Sequence, residues 1–436
     1  MCTMPGKEFF FSIMLEEILD IRNVQKAFRR VTANKGAGGI DGMQTDELRD
    51  YLNANWQTLR SNILTGNFRP NAVRKVEIPK SGGGMRMLCI PTVIDRLIQQ
   101  SIAQWLIPKY EGDFSAKSYG FRPKRNAHQA VLKAQEYLNT GYTWIVELDL
   151  DKFFDRVNHD KLMHLLSVKI KDKRTLKLIR LYLSVGIMEN GLVSPRREGT
   201  PQGSPLSPLL SNVILDELDV KLEERGHSFV RYADDCSIYL RSKKSAERVM
   251  SNISSYLEKS LKLKVNREKS KVSKPTDSSL LGFSFYKRKG WQLRLSSGSV
   301  KKVKEKIRFY TQRKHSVSLS NRLRKLDEVI RGWVNYFSIA TGKRVFGELD
   351  RMVRRRLRVI LWKEWKNASN RMRNLIKLGI SKSQSYQWPQ SRKSYCRTAN
   401  SKILMISLNN AYFSKMKYVG FEKYYYWKTK HQMKLF

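Results

Sequence analysis

Three aspartates stand where side chains of their type can do chemistry. The run Thr143-Trp144-Ile145-Val146-Glu147-Leu148-Asp149-Leu150-Asp151 alternates with period two. That places Val146, Leu148 and Leu150 on one face of a strand and Glu147, Asp149 and Asp151 on the other. Phe153 and Phe154 follow at once and set an aromatic wall beside Asp149. A second stretch, Phe229 to Leu240, reads as two short apolar strands with Asp234 and Asp235 at the turn between them. Adjacent carboxylates repel each other. A divalent cation relieves the repulsion, and Mg²⁺ takes oxygen ligands at about 2.0–2.1 Å while keeping waters that a substrate displaces. Three carboxylates from two strands suit two Mg²⁺ roughly 3.5–4 Å apart, one activating a 3′-hydroxyl and the other stabilising a leaving pyrophosphate. The chemistry is then in-line phosphoryl transfer. A solvated turn is the alternative reading of Asp234-Asp235, since aspartate is common in turns.

Those strands need partners to hold them. Between them lies Gly199-Thr200-Pro201-Gln202-Gly203-Ser204-Pro205-Leu206-Ser207-Pro208, ahead of an apolar helix running through Asp219. Its prolines and glycines predict a rigid loop. Such a loop presents Gln202 and backbone N–H groups to a nucleotide or template base, or serves only as a connection. Residues 73–79 and 85–90 read as two strands of a hairpin whose tip is Lys80-Ser81-Gly82-Gly83-Gly84. Lys80 and Arg86 on it can reach triphosphate oxygens, although cations on hairpins are commonly just solvated. Ile94 to Pro108 predicts an amphipathic helix. Residues 14–63 read as helical, interrupted by a Gly-rich loop from Asn34 to Gly42.

Composition sets the partner class. A chain of 436 residues is long enough for about three domains. It carries 83 Lys+Arg against 39 Asp+Glu, a formal charge of +44 that calls for a polyanion, nucleic acid above all. With 41% hydrophobic residues it is globular rather than a disordered basic tail. The apolar run Phe9 to Leu15 is broken by Ser12 and followed by Glu16 and Glu17, so neither a signal sequence nor a membrane span is expected, and the expected location is the cytoplasm. The four cysteines form no Cys-x-x-Cys pair and the histidines no His-x-x-x-His, which argues against a zinc nuclease.

Residues 296–436 are the most basic part. Leu319, Leu323, Leu326, Ile330, Trp333 and Phe337 form one apolar helix face, with flanking helices expected over 299–314 and 345–366. Arg351, Arg354, Arg355, Arg356 and Arg358 crowd about two turns of the last helix with no acid among them, which favours a phosphate-tracking surface over a solvated face. Residues 367–436 interleave lysine and arginine with aromatic rings such as Tyr386, Trp388 and Trp427, which either stack on unpaired bases or build a small core.

Taken in order, Leu148-Asp149-Leu150-Asp151-Lys152-Phe153-Phe154-Asp155, Gly199-Thr200-Pro201-Gln202-Gly203, Tyr232-Ala233-Asp234-Asp235 and Leu280-Leu281-Gly282-Phe283 resemble the reverse transcriptases encoded by bacterial group II introns. The resemblance covers almost the whole chain, including Ser118-Tyr119-Gly120-Phe121-Arg122-Pro123 and Arg331-Gly332-Trp333-Val334-Asn335-Tyr336-Phe337. It implies an α+β right-hand polymerase: fingers and palm with antiparallel sheet, followed by an α-helical thumb/maturase domain. The implied division is 1–70 (N-terminal extension and start of the fingers), 71–295 (fingers and palm), 296–366 (thumb/maturase) and 367–436 (a basic aromatic nucleic-acid-binding extension).

Residue by residue, the resemblance implies metal binding by Asp149, Asp234 and Asp235 with the Leu150 carbonyl a further ligand. Lys80 and Arg86 would hold the triphosphate, Gln202 the nucleotide, and Phe154, or its neighbour Phe153, would exclude a ribose 2′-hydroxyl. Tyr232 and Ala233 would line the primer terminus, Ala233 also facing the dNTP, and Arg351, Arg354, Arg355 and Arg358 would bind nucleic acid. The implied activity is RNA-directed DNA synthesis with two Mg²⁺, together with maturase assistance to splicing. Implied partners are structured intron RNA, an RNA template with DNA primer, target DNA and dNTPs. A nucleoid association when acting on DNA and a homodimer through apolar finger residues are compatible with it. Ser204-Pro205 departs from the family pattern, which has a second glycine there, and the Cys/His endonuclease of some members has no match. Insertion into DNA would then need a nick, a replication fork or a single strand. The competing readings are a free-standing enzyme of DNA repair or defence, and a non-catalytic splicing cofactor.

Overall fold

A computed structural model describes residues 14–79, 84–189, 191–390 and 393–433, and the side chains up to residue 430. Its contacts divide the chain into two compact units, one ending at Ser278 and the other beginning at Ser279.

In the first unit the strands are β1 (Val73–Pro79), β2 (Met85–Ile90), β3 (Trp144–Leu148), β4 (Ile187–Glu189), β5 (Leu192–Ser194), β6 (Ser228–Tyr232), β7 (Asp235–Leu240) and β8 (Lys271–Ser273). One sheet has the order β2-β1-β4-β5 and contains the hairpin expected from residues 73–90. The other, β6-β7-β3-β8, is antiparallel throughout and carries the aspartates. The alternation read in 143–151 sets its register: Ile145, Val146 and Leu148 are buried, and Leu148 pairs with Cys236. Asp149 therefore leaves β3 beside the start of β7.

The helix Val93–Glu111 corrects the expectation of a one-sided amphipathic element. Val93, Leu97, Ile98, Ile102 and Leu106, together with the polar Asp95, Gln99 and Ser101, are all buried, so several of its faces are covered. The helices Ile21–Ala33 and Ser207–Glu224 lie against it. The polar residues are accommodated because they are bonded: Thr92 Oγ1 donates to Asp95 at 2.7 Å, and Ser204 pairs with Gln99.

The second unit opens with β9 (Ser279–Leu280), β10 (Phe283–Lys287) and β11 (Trp291–Leu295). This small sheet groups with the helical unit, where Phe283 meets the rings of Tyr336 and Phe337. Three long helices follow, Ser297–Tyr310, Leu319–Phe337 and Lys343–Glu364, close to the expected trio. Leu323, Leu326, Ile330, Val334 and Phe337 bury the apolar face of the second helix, while Trp333 and Leu319 are only partly covered. Beyond residue 367 the chain forms short helices and ends, among the described residues, in the helix Phe421–Met433. Phe413, Tyr418 and Phe421 serve the core, whereas Tyr386 and Trp427 are 63% and 51% exposed.

Asp350 ties that last helix down. Its buried carboxylate accepts from the Tyr418 hydroxyl (2.6 Å) and from the backbone N–H groups of Phe421 (2.8 Å) and Glu422 (3.0 Å), capping the helix from another segment. Replacing it leaves three donors without their acceptor. Asp350→Ala is expected to destabilise the second unit by about 2–3 kcal/mol, read as an earlier transition in urea.

Candidate active site

The backbone around Asp149 is anchored by the segment 264–270. Asp149 N–H donates to Ser270 Oγ (3.0 Å), Asn266 N–H donates to the Asp149 carbonyl (2.8 Å), and Asp151 N–H donates to the Lys264 carbonyl (2.8 Å). The Asp151 side chain pairs with Arg156 at 3.1 Å, a structural engagement that sets it apart from Asp149. Leu150 is buried and bridges to Val265.

Across the sheet, Tyr232 pairs with Asp235, which leaves Ala233 and Asp234 as the two residues of a tight turn. Ala233 is buried and sits at φ +57°, a left-handed conformation that costs an alanine about 1–2 kcal/mol. Strain of this size persists only where the surroundings enforce it. Burial and then the charge of Asp149 raise Asp234, while Arg86 opposes the shift. Asp235 reaches solvent on its outer side yet stands among protein atoms. Desolvation, followed by Asp234, Asp149 and Glu147, pushes it up to about 6.

Asp234 and Asp235 thus sense the charge of Asp149, and Asp235 that of Asp234. Among the described residues, however, no group of three or more His, Cys, Asp or Glu stands ready to hold a metal ion. The donor set itself suits Mg²⁺: all oxygen, all carboxylate, and in mutual repulsion that a divalent cation relieves. Lys269 lies 3.7 Å from Asp149, a second and weaker source of compensation on an exposed side chain.

The proline-rich loop is clamped as its composition predicts. Gly199 N–H donates to the Val157 carbonyl (2.7 Å), Thr200 N–H to that of Phe154 (2.6 Å), and Cys89 N–H to that of Gln202 (2.7 Å). Gly199 is at φ +85°, and a Cβ there would lie 2.7 Å from the Asp155 backbone, so only glycine fits. His159 also holds this residue, its Nε2 lying 2.7 Å from the Gly199 carbonyl oxygen.

Loop, helix and hairpin enclose a cleft of about 510 Å³ whose lining includes Gly36, Arg86, Phe121, Phe154 and Gln202. Three residues singled out in the sequence, Arg86, Phe154 and Gln202, therefore converge. Phe153 does not join them: it is 3% exposed and belongs to the core, while Phe154 meets Phe121 edge-on at the cleft. Ala233 is absent from this lining and Tyr232, half-buried on β6, is too. Lys80 lies outside the described residues. Sequence reasoning missed Arg96 and Gln100, which also line the cleft. Their i,i+4 spacing becomes a signal only once the exposed side of Val93–Glu111 is known. Arg96 donates to the Ala37 carbonyl (2.6 Å), so the Gly-rich loop is packed onto this wall.

The arginines of Lys343–Glu364 occupy a different place, a hollow of about 890 Å³ in the second unit. Arg351, Arg354 and Arg355 line it, joined by Arg308, Asn400 and Asn409 from neighbouring segments, which periodicity could not reveal. Arg358 also borders the hollow, but it is 8% exposed and its Nε donates to the Leu408 carbonyl (3.1 Å). Arg356 likewise bonds Thr311 and the Arg308 carbonyl.

One half-buried carboxylate on the helix Ser207–Glu224 has a measurable consequence. Asp216 has an oxygen without a hydrogen-bond partner, and burial, then the charge of Asp219, push it from 3.8 up to about 6. A group whose folded value is raised binds its proton more tightly in the folded chain. It therefore favours folding below about pH 4, and that contribution is lost as pH rises through 6. Asp216→Asn is expected to stabilise the first unit by about 1–2 kcal/mol at pH 7, the difference from wild type closing toward pH 4 in denaturant melts.

An antiparallel sheet with an aspartate-bearing turn, a proline-rich loop and a cationic cleft beside it is the arrangement of a reverse transcriptase. Residues 78–285 match the family model described as reverse transcriptase (RNA-dependent DNA polymerase), and residues 300–379 that of the group II intron maturase-specific domain. Protein YkfC of Escherichia coli (strain K12) is 34% identical over 300 residues, covering 60% of this chain and 78% of that protein. The group II intron-encoded protein LtrA of Lactococcus lactis subsp. cremoris is 36% identical over 194 residues, 44% of this chain and 32% of LtrA. A solved partial Cas6-RT-Cas1–Cas2 complex is 22% identical, covering 56% of this chain and 42% of that one, with a TM-score of 0.37. The chain belongs to the group II intron reverse transcriptase/maturase family, and its enzyme class is RNA-directed DNA polymerase. No helix among the described residues is long and apolar enough to cross a membrane.

Proposed function

We propose that the first unit extends a DNA primer on an RNA template, with Asp149, Asp234 and Asp235 holding two Mg²⁺. The observation that carries this reading is electrostatic. Asp234 and Asp235 feel the negative charge of Asp149, and Arg86, which lines a cleft with Phe154 and Gln202, is near enough to offset the charge of Asp234. When bound, the cations lower the pKa of the attacking 3′-hydroxyl and neutralise charge on the transferring phosphoryl group.

The protein's own residues do the remainder. Arg86 pairs with triphosphate oxygens and turns the nucleotide toward the carboxylates. Gln202, immobilised through its backbone on Cys89, orients the base or sugar. Phe154, braced by Phe121 and Phe153, closes the space a 2′-hydroxyl needs. Primer extension on an RNA template with dNTPs and Mg²⁺ tests the reading. Asp234→Ala is expected to lose extension by at least about 10³-fold while RNA affinity holds, and full activity in that variant would overturn it.

The arginine hollow supports a second partner, structured RNA of the kind the maturase domain serves. Guanidinium groups without a lining acid neutralise phosphates, and the binding they drive weakens steeply with salt. Arg351→Gln/Arg354→Gln/Arg355→Gln is expected to reduce affinity for structured RNA and to flatten the slope of log K against log salt by about 2–3 units. An unchanged slope would remove the hollow from the RNA interface.

A further inference from the structure

Arg231 is the largest fully buried side chain among the described residues, and the reaction chemistry does not use it. Its Nε donates to both oxygens of Asp219 at 2.7 and 2.9 Å, and its Nη2 donates to the same carboxylate. The remaining nitrogen, Nη1, donates to Asn212 Oδ1 at 3.0 Å and to the carbonyl of Ala233 at 3.1 Å. Ala233 is the left-handed residue of the turn that carries Asp234. Asn212 in turn donates from Nδ2 to the Gly120 carbonyl (2.9 Å). Gly120 lies flat on the turn: a Cβ there would come within 2.2 Å of Ala233 N, a backbone atom that cannot step aside.

These contacts reach the two peptide units that flank Ala233, Arg231 at the Ala233–Asp234 carbonyl and Gly120 at the Tyr232–Ala233 amide. The helix Ser207–Glu224 supplies Asn212 and Asp219, and the segment around Gly120 is itself sewn to β6, with Tyr119 N–H donating to the Arg231 carbonyl (2.8 Å) and Arg231 N–H to that of Lys117 (3.0 Å). A buried ion pair is a poor device for stability alone, since desolvation offsets most of its attraction. It is a good device for direction, because a guanidinium locked by a bidentate carboxylate can aim its last N–H at one carbonyl. No apolar side chain could supply that donor.

We propose that Arg231, with Asp219, Asn212 and Gly120, is a positioning group that fixes the two peptides flanking Ala233 and thereby the direction in which Asp234 and Asp235 present their carboxylates to divalent metal. The proposal rests on the metal-binding reading of those two aspartates. It deepens that reading by naming what holds them.

The test uses the full chain with Asn212→Ala, Gly120→Ala and Arg231→Lys, beside Asp234→Ala as the reference for a lost metal ligand. Mn²⁺ affinity without nucleotide is measured by water-proton relaxation, hydrogen exchange is followed over residues 229–240, and primer extension is titrated with Mg²⁺. Supporting partners of metal ligands are worth about 10–100-fold in affinity. Asn212→Ala and Gly120→Ala are expected to weaken Mn²⁺ binding by about that factor, to speed exchange at the turn, and to raise the Mg²⁺ needed for half-maximal rate while the dNTP KM holds. Arg231→Lys is expected to restore charge but not direction, and to behave like them.

Folded variants with wild-type Mn²⁺ affinity and Mg²⁺ requirement would overturn the proposal while Asp234→Ala still failed to bind metal. Lower melting temperature with an unshifted metal requirement would also overturn it, leaving a structural role only. Should Asp234→Ala bind Mn²⁺ as wild type does, the metal reading itself falls. Where Arg231→Lys does not fold, Asn212→Ala decides, since it removes only the bonds to Arg231 Nη1 and to the Gly120 carbonyl and leaves the ion pair.

Discussion

Carboxylates of one sign must be kept close together although they repel, and the first unit is arranged around that constraint. Asp149 cannot retreat because its strand is pinned at Ser270 and Asn266. Asp234 and Asp235 cannot, because a two-residue turn with a left-handed alanine leaves no slack. Burial first, and the neighbouring carboxylates after it, raise the titration of Asp234 and Asp235. Backbone anchoring, rather than compensating side-chain charge, supplies most of the restraint. That suits a site whose charge is meant to be met by an incoming cation and a nucleotide.

The same logic extends to the cleft. Its walls come from separated stretches, among them the Gly-rich loop, the hairpin β1–β2, the helix Val93–Glu111 and the proline-rich loop, and main-chain or polar bonds tie the loops and hairpin to a neighbour. Preorganised groups need no reorganisation when charge develops, which is how such a site contributes to rate. In the second unit the arginine hollow has another construction. Arg356 and Arg358 spend donors on carbonyls and a hydroxyl to hold its walls, and Arg351, Arg354 and Arg355 complete the lining.

Much of this was legible in the sequence because it rests on short-range rules. Period-two alternation located β3, the apolar–Asp-Asp–apolar pattern located the β6–β7 turn, and 3–4 spacing located the helix Leu319–Phe337. Features that depend on what packs against an element were not legible. The burial of Gln99 and Ser101 needs helices that lie far away in the chain, and Arg358 reads like its neighbours until the segment at Leu408 covers it. Arg231 looked like one residue of a strand. Its role appears only when Asp219, Asn212 and Gly120 converge on the turn.

The central claim is that the three aspartates mark the metal site, and cleavage mapping tests it without reference to catalysis. Fe²⁺ in place of Mg²⁺, with ascorbate and peroxide, cuts backbone beside the bound ion. The account predicts cuts next to Asp149 and within Tyr232 to Asp235, protected by excess Mg²⁺ and lost in Asp234→Ala. Cuts confined to other segments, or a pattern that survives Asp234→Ala unchanged, would contradict it.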